Sequence, residues 1–226
     1  RRVQVAQRRR AEGIGHLGNQ LPGRLELIAQ VANAFSPPPL GYLYAPFFGN
    51  PALQPELSHS AELGLQYAAG GHRLRATLFQ TRVRQELDYD TATAQFGNVA
   101  RTRNRGLELS YDGRVGTADL RGSLTAQDPV DADTGDRRLR RSRVLAALSV
   151  SQPLGGGVRV GAALRHAGNR PDSGGVLLPA YTVADLTAQW DLRPDLQLFG
   201  RIENLADVRW PTANGYNATP RGAFAG

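Results

Sequence analysis

The sequence predicts an all-β protein, an antiparallel transmembrane β-barrel, and three observations support this fold class. From about Leu25 onward, apolar or small residues recur at every second position, which is the period of a strand with two unlike faces. The connections between these segments alternate between tight turns and long polar loops. The polar faces carry charged or amide side chains on nearly every strand, as a water-filled lumen requires.

Seven segments show the two-residue period, and each can be identified by its apolar or small positions. In chain order they are Ala61/Leu63/Leu65/Tyr67, Leu74/Ala76/Leu78, Ala118/Leu120/Gly122/Leu124/Ala126, Val144/Ala146/Leu148/Val150, Val158/Val160/Ala162/Leu164, Ala184/Leu186/Ala188/Trp190/Leu192 and Leu196/Leu198/Ile202. Candidate strands counted from Leu25 are nine complete ones and a tenth that begins at Gly222 and stops at Gly226. Since a spanning strand needs about 9 to 11 residues, we expect an incomplete barrel.

The connections alternate in length along the chain. Tight turns are expected near Ala69 to Gly71, Val115 to Thr117, Leu154 to Gly157 and Arg193 to Asp195. Long polar loops are expected at Pro37 to Ser58, Asp88 to Ala100, Asp128 to Arg143, Ala167 to Leu178 and Asp207 to Arg221. A soluble β-sandwich also alternates, but its dry core favours bulky Val, Ile and Phe, whereas Ala and Leu dominate here. Short turns on one side and long loops on the other are typical of outer-membrane barrels.

Composition excludes several kinds of chemistry. Cysteine and methionine are both missing, so disulfides, thiolate metal sites and a cysteine nucleophile are excluded. All 27 basic residues are arginine, which excludes Schiff-base lysines and the lysine of a phosphate-binding P-loop. No apolar run approaches the ~18 residues of a transmembrane helix. Five of the arginines lie in the first ten residues, so the other 216 residues carry +2 of the net charge of +7.

Three segments resemble sequence signatures of the TonB-dependent receptor family, and they occur in the family's order. Gly49 to Ser58 reads GNPALQPELS, Arg105 to Leu109 reads RGLEL, and Ile202 to Asp207 reads IENLAD. By this resemblance the fold is a plugged barrel of ~22 strands, of which residues 25–226 would supply about ten C-terminal strands. The resemblance implies an outer-membrane protein that contacts membrane lipid. The resemblance implies that contact with the TonB complex runs through an N-terminal plug and a TonB box, neither of which is recognised in residues 1–226.

The resemblance also suggests a ligand class, a scarce and bulky nutrient. Within the family, the stretch Leu43 to Pro51 and the strand end Asp88-Tyr89-Asp90 look most like the vitamin B12 (cobalamin) receptors. Ferric-siderophore and haem receptors share the same skeleton and stay open as alternatives. The family's transport involves no covalent chemistry, so no cofactor is expected.

Aromatic residues in the expected outer loops are the candidate ligand-binding residues. They are Tyr42, Tyr44, Phe47, Phe48, Trp210 and Tyr216. Aromatic rings can stack on a large ligand, and they can equally anchor loops at the lipid interface. No Gly-x-Ser-x-Gly elbow or recognisable triad is present, so we expect no enzyme. The four histidines are dispersed, and the Asp-rich stretch from Asp128 to Asp136 lacks the ligand spacing of an EF-hand, so no metal site is expected.

Residues 1–24 form an Arg-rich leader that does not alternate and does not resemble the family. It contains a Gly-x-Gly-x-x-Gly match from Gly13 to Gly18, but Pro22 and Gly23 follow at once and forbid the helix that a nucleotide site needs. The leader is interpreted either as a poor strand or as out-of-frame sequence. Two further hypotheses stay open at this point. One is a non-functional relic of a receptor gene, and the other is a soluble Arg-rich β protein that binds nucleic acid.

Overall fold

A computed structural model describes residues 24–90, 93–216 and 218–226 of the chain. The expectations for the Arg-rich leader fall on residues 1–23 and lie outside this part, except for Arg24 in a turn. Strands make up most of the described chain, and in order they are β1 Leu25–Ser36, β2 Glu56–Ala69, β3 His72–Asp90, β4 Gln95–Val115, β5 Ala118–Gln127, β6 Val130–Asp131, β7 Val144–Gly155, β8 Val158–Ala167, β9 Arg170–Pro171, β10 Leu177–Leu178, β11 Tyr181–Arg193, β12 Leu196–Glu203 and β13 Gly222–Ala225.

In the described part of the chain, helical structure is confined to two short pieces. Helix α1 spans Leu40–Tyr44, and a 3₁₀ turn spans Ser173–Gly175. Among the described residues, no helix has both the length and the apolar character needed to cross a membrane.

A single antiparallel sheet contains the ten principal strands. Their order is β1-β2-β3-β4-β5-β7-β8-β11-β12-β13, so each strand pairs with the next principal strand along the chain. The short β6 pairs with β4, and β9 pairs with β10 in a separate two-stranded ribbon. Within the described residues β1 and β13 are opposite edges that do not pair with each other. The sheet is thus an incomplete barrel, as the strand count predicted.

The register brings the apolar positions together on one face. Two rows across neighbouring strands illustrate it: Leu27, Leu65, Ala76, Leu109 and Leu124, and Leu120, Val150, Ala162, Leu186 and Ile202. The leucines of the first row are 40–48% exposed, because no second layer of described residues packs on them. An exposed apolar face on a single-layered sheet is the face that a membrane barrel turns toward lipid.

Polar and charged side chains occupy the opposite face. Cross-strand ion pairs join Arg121 to Asp112 at 2.9 Å and Arg114 to Asp119 at 2.8 Å, and Arg159 lies 3.7 Å from Asp119. All five side chains are substantially exposed, so these pairs contribute little to stability. They make this face hydrophilic, which suits the lumen of a barrel.

The two ends of the sheet differ as expected. We name the turn end by its tight connections, which are Gly70–Gly71, Gly116–Thr117, Gly156–Gly157 and Pro194–Asp195. Glycines carry the positive φ values that such turns require, for example 82° at Gly71 and 61° at Gly116. The opposite end, with the longer connections, is called the loop end.

One expected loop is wrong in extent. The stretch Asp88 to Ala100 was expected to be a long loop, but β3 runs to Asp90 and β4 begins at Gln95. The two strands pair continuously up to Arg84 opposite Arg101, and pairing resumes from Glu86 opposite Val99 as far as Asp90 opposite Gln95. Along this part of β3, charged Glu86, Asp88 and Asp90 alternate with Leu87 and Tyr89, and the hairpin extends past the apolar band of the sheet. Composition alone made this hairpin look like a loop.

The assignment of faces can be tested with two adjacent residues of β4. Leu109→Arg places a charge on the apolar face, while Ser110→Arg places it on the polar face. In protein reconstituted into lipid vesicles, we expect Leu109→Arg to lower the free energy of unfolding by about 2–4 kcal/mol. Ser110→Arg is expected to change it by less than about 0.5 kcal/mol. Denaturant unfolding followed by tryptophan fluorescence measures both, and an equal loss in the two variants would contradict the assignment.

Candidate functional site

Five connections project from the loop end of the sheet and form the candidate site. They are residues 37–55, 91–94, 128–143, 168–180 and 204–221. Because successive strands are antiparallel, every second connection emerges at the same end. All six aromatic residues predicted to bind a ligand lie in the first and the last of these connections.

An aromatic cluster joins the first connection to the β3–β4 hairpin. The ring of Tyr42 stacks on Phe96 with 3.6 Å between centroids, and the rings of Phe48 and Tyr89 meet the same Phe96 ring edge-on at 6.3 and 5.3 Å. The side-chain amide of Asn50 donates to the carbonyl of Phe96 at 2.9 Å. Two of the predicted ligand-binding residues, Tyr42 and Phe48, therefore hold loops together.

The GNPALQPELS segment explains how this connection is fixed. Asn98 accepts from the backbone N–H of Gln54 at 2.9 Å and donates to the Gln54 carbonyl at 3.0 Å, and Glu56 accepts from the N–H of Leu87 at 2.7 Å. A Cβ at Gly49 would lie 2.6 Å from the Ala45 carbonyl oxygen, so only glycine fits this close approach. The motif thus attaches the loop to the neighbouring hairpin.

Three of the predicted aromatic residues present their rings to solvent. Phe47 is fully exposed, Tyr44 is 69% exposed and Tyr216 is 71% exposed. Phe47 has a φ of 73°, in the left-handed region that a bulky residue rarely adopts. Rings held in water by a loop that is itself bonded to the sheet are suited to stack on a ligand.

Trp210 belongs to a second aromatic group at the other side of the sheet. Its ring lies 5.0 Å from Tyr181, and the guanidinium of Arg170 lies 5.2 Å from the centroid of the same Tyr181 ring. Arg170 is buried and donates to the carbonyls of Pro179 and Pro211. The buried Trp210 Nε1 has no hydrogen-bond partner among the described residues. Trp210 is half-buried, so its ring anchors the last connection to β11.

Asp172 is the junction of three connections. Its carboxylate accepts from Arg140 Nε at 2.7 Å, from the Ser173 N–H at 2.8 Å and from the Asn214 N–H at 2.5 Å. These donors come from residues 128–143, 168–180 and 204–221, and the Asp172 side chain is completely buried. A buried carboxylate with three donors, one of them charged, fixes the three loops relative to one another.

The hydrogen bonds also set the ionisation of the loop carboxylates. Burial raises the pKa of Asp172, but the bonds from Asn214, Arg140 and Ser173 outweigh burial and hold its pKa below the ordinary value. The N–H groups of Thr134 and Asp133 likewise lower the pKa of Asp131. Both loop carboxylates are therefore ionised at neutral pH.

Asn204, in the IENLAD segment, closes the last connection. Its side chain accepts from the Val208 N–H at 2.9 Å and donates to the carbonyls of Val208 and Thr219 at 3.0 and 3.2 Å. Its own N–H donates to Asp185 at 2.9 Å, and its φ of 51° is one that asparagine tolerates well. The signature is therefore a loop-closing element that holds the base of residues 204–221.

The Asp-rich stretch is used for loop structure. Asp128 pairs with Arg143 at 2.7 Å, Asp133 accepts from Arg101 Nε at 2.8 Å, and Asp131 accepts from the N–H groups of Asp133 and Thr134. Across the described ranges, no group of three or more His, Cys, Asp or Glu residues is placed to hold a metal ion.

The predicted residues whose rings contact other rings thus fall into two separate groups. Tyr42 and Phe48 meet on Phe96, whereas Trp210 meets Tyr181, and no ring contact joins the two groups in the described part of the chain. Sequence reasoning missed Phe96 and Asp172 as organising residues. Their partners in other connections lie 32 to 54 positions away in the chain, and no local pattern reports such distant pairs.

The role of Asn204 can be tested by removing its side chain. Asn204→Ala leaves the Val208 N–H and two carbonyls without partners, at a cost of about 1–3 kcal/mol. We expect faster hydrogen exchange across residues 204–221, measured by mass spectrometry. Asn169→Ala is the matched control, because its exposed side chain makes no hydrogen bond within the described residues, and exchange there should stay unchanged. Equal protection in both variants would contradict a loop-closing role.

The junction at Asp172 predicts a pH dependence. Because the folded pKa is lowered, the ionised carboxylate stabilises the junction fully above the ordinary pKa, and this stabilisation disappears as the pH falls through the lowered value. We expect the Ser173 and Asn214 amides to lose protection below about pH 4, after correction for intrinsic exchange. In Asp172→Asn they should be poorly protected at every pH, while exposed Asp136→Asn should retain the transition. If the loss of amide protection at low pH persists in Asp172→Asn, a different titrating group causes it.

Comparisons with known proteins agree with this geometry. The family described as TonB dependent receptor-like, beta-barrel matches residues 20–205. The chain is 27% identical over 218 residues to the vitamin B12 transporter BtuB of Vibrio cholerae, covering 92% of this chain and 35% of the relative. It is 28% identical over 195 residues to BtuB of Vibrio vulnificus, covering 84% of this chain and 32% of the relative. The chain thus spans about a third of the length of these curated relatives.

Solved structures show the same fold at low sequence identity. A point variant of the ferric enterobactin receptor PfeA from Pseudomonas aeruginosa is similar with a TM-score of 0.73 and 19% identity, over 91% of this chain and 38% of that one. The copper transporter OprC has a TM-score of 0.74 and 16% identity, over 91% of this chain and 37% of that one.

The expected localisation in the outer membrane is confirmed, since the family and the structural neighbours are outer-membrane receptors. The alternative of a soluble Arg-rich β protein is therefore wrong. With 186 consecutive residues matched to one barrel family, the chain belongs to the TonB-dependent receptor β-barrel family.

Proposed function

We propose that this chain is part of a TonB-dependent receptor that imports cobalamin across the outer membrane. The observation that carries the proposal is a pair of exposed aromatic rings, Tyr44 and Phe47, on a loop that is bonded to the sheet. Cobalamin is large and has extensive apolar surface, so rings already held in water gain binding free energy by being covered.

The choice of ligand rests on the curated relatives. Both similar Vibrio proteins are vitamin B12 transporters, and they match 84–92% of this chain. The solved neighbours are receptors for ferric siderophores and copper, at 16–20% identity, which supports the shared fold only. Import of a ferric siderophore is therefore the second candidate, and haem import the third.

The loop end can hold a ligand without large rearrangement. The Phe96 cluster fixes residues 37–55, and the Asp172 junction fixes three of the other connections. Pre-ordered loops lose less conformational entropy when a ligand binds. The exposed rings are then the groups whose environment changes most.

The polar face has a role in the same proposal. Its ion pairs and its hydroxyl and amide groups suit contact with a hydrated plug that moves when the TonB complex pulls on it. Transport energy would come through TonB, and the chain's own residues would only bind and position. No bond is made or broken in such a cycle, so the proposed protein is a transport receptor.

Ligand binding by the exposed rings predicts a specific loss. Covering a fully exposed phenylalanine stabilises a complex by about 1.5–3 kcal/mol, so Phe47→Ala should weaken cobalamin binding about 10- to 100-fold. The receptor that contains this chain would be titrated with cyanocobalamin in detergent by calorimetry. Uptake of labelled cobalamin would be measured in cells that lack another cobalamin receptor.

Leu154→Ala is the matched control for Phe47→Ala. Leu154 is 62% exposed, but it lies beside the tight turn at Gly156–Gly157, at the opposite end of the sheet. The affinity of the Leu154→Ala variant for cobalamin should stay within two-fold of that of the unsubstituted protein. Parallel titrations with a ferric catecholate and with haem separate the candidates. High affinity for either one, with no binding of cobalamin, would refute the cobalamin proposal and leave the family intact.

A further inference from the structure

A cluster of arginines lies on the apolar face of the sheet, near its loop end. Arg82 and Arg84 on β3 face Arg103 and Arg101 on β4, and Arg105 follows opposite Gln80. No register shift occurs between Leu78 and Arg84, so these residues share the face of Leu78 and Leu107. We call Arg82, Arg84, Arg103 and Arg105 the outer arginine patch.

The position of the outer arginine patch matches the interfacial layer of a membrane. At about 3.4 Å per residue, Arg105 and Arg103 lie roughly 7 and 14 Å beyond Leu107 along β4. The apolar side chains Leu63, Leu78 and Leu107 form one row across three strands just below them. The headgroup layer begins where the hydrocarbon core ends and adds several Å on each side. The patch therefore lies on the outside of the wall at headgroup depth.

The patch is not neutralised by the protein residues that the structure describes. Arg101 pairs with Asp133, but no carboxylate of the described chain lies within ion-pair distance of Arg82, Arg84, Arg103 or Arg105. The buried Nε of Arg103 has no hydrogen-bond partner there either. A guanidinium nitrogen that is buried without an acceptor is costly.

The nearby acidic side chains are already engaged elsewhere. Asp128 pairs with Arg143 at 2.7 Å, and Glu86 and Asp88 lie 3.4 and 2.8 Å from Arg138. Across the strands, Arg82 has His59 on one side and Arg103 on the other. Four like charges on two adjacent strands repel one another, so their clustering favours an anionic partner.

We propose that the outer arginine patch binds the phosphate groups of an anionic glycolipid in the outer leaflet, with its acyl chains lying on the apolar row below. The guanidinium fork matches phosphate oxygens in a two-pronged hydrogen-bonded geometry. A lipid also satisfies both halves of the surface at once, since its headgroup meets the arginines while its chains meet Leu63, Leu78 and Leu107. This inference rests on the outer-membrane localisation and is independent of which nutrient is imported.

Binding of a phosphorylated lipid tests the inference. The full chain, reconstituted in zwitterionic detergent micelles, would be titrated with diphosphoryl lipid A, with its dephosphorylated form and with inorganic phosphate. Each arginine beside an anionic surface strengthens binding about five-fold. The triple variant Arg82→Gln, Arg103→Gln, Arg105→Gln should therefore bind diphosphoryl lipid A at least ten-fold more weakly than the unsubstituted chain. The dephosphorylated lipid should bind weakly to both.

The matched control removes the same charge elsewhere. The control triple variant, Arg73→Gln with Arg141→Gln and Arg193→Gln, replaces exposed arginines that form no ion pair within the described residues. Its affinity for diphosphoryl lipid A should stay within two-fold of that of the unsubstituted chain. Equal loss in the two triple variants would overturn the inference in favour of general charge attraction. Inorganic phosphate binding as tightly as the lipid would overturn it in favour of a simple anion site.

Single variants keep the test decisive if the triple variant does not fold. Arg82→Gln and Arg105→Gln each change an exposed side chain, so both should keep the far-UV circular dichroism of the unsubstituted chain. Each should weaken lipid binding several-fold. Unchanged affinity in both folded single variants would overturn the inference.

Discussion

Every backbone N–H and C=O inside lipid must find a hydrogen-bond partner within the protein, and the arrangement of the strands follows from this requirement. In hydrocarbon no water can satisfy these groups, so strands that cross a membrane must pair with one another. Ten strands pair in sequence order, and each residue's face then follows from its place in the register. Leu109 and Ser110 are neighbours in the chain but meet lipid and lumen respectively. The strand pairing that satisfies the backbone hydrogen bonds therefore also determines which side chains face lipid and which face the lumen.

Outside the lipid, side-chain hydrogen bonds and packing hold the connections in place. Among the residues that the structure describes, few hydrophobic side chains are buried, and they lie mostly near the loop end, for example Leu53, Val130 and Leu178. Asp172 and Asn204 collect backbone donors and acceptors from segments that no ladder pairs. A buried polar junction stabilises a structure only when each of its polar groups has a hydrogen-bond partner. The structure of the loop end therefore depends on individual side chains, whereas the structure of the barrel wall depends on the alternation of apolar and polar residues along its strands.

This difference explains how much the sequence could predict. The alternation of Leu120, Leu124 and their neighbours predicted the strands and their faces, and the glycine turns predicted the turn end. The hairpin around Asp90 was predicted as a loop, because its many polar residues are typical of loops, although Glu86, Asp88 and Asp90 alternate with Leu87 and Tyr89. The partnership of Asp172 with Arg140 and Asn214 could not be predicted, since it joins residues far apart in the chain. The aromatic candidates were predicted from residue type alone, which did not separate Tyr42, which packs on Phe96, from Phe47, which is exposed.

The separation of anchored from exposed aromatics also bears on specificity. A loop that must order itself around a ligand loses binding free energy to that ordering, and a loop already bonded to a hairpin does not. Tyr42, Phe48 and Asn50 supply that order through Phe96, which leaves Tyr44 and Phe47 as rings on a fixed base. Substitution of an anchoring ring would then alter every ligand contact of the loop at once, while substitution of an exposed ring would alter one. A barrel wall shared by receptors for different nutrients can therefore change its ligand through a few exposed residues, provided that the anchoring contacts stay in place.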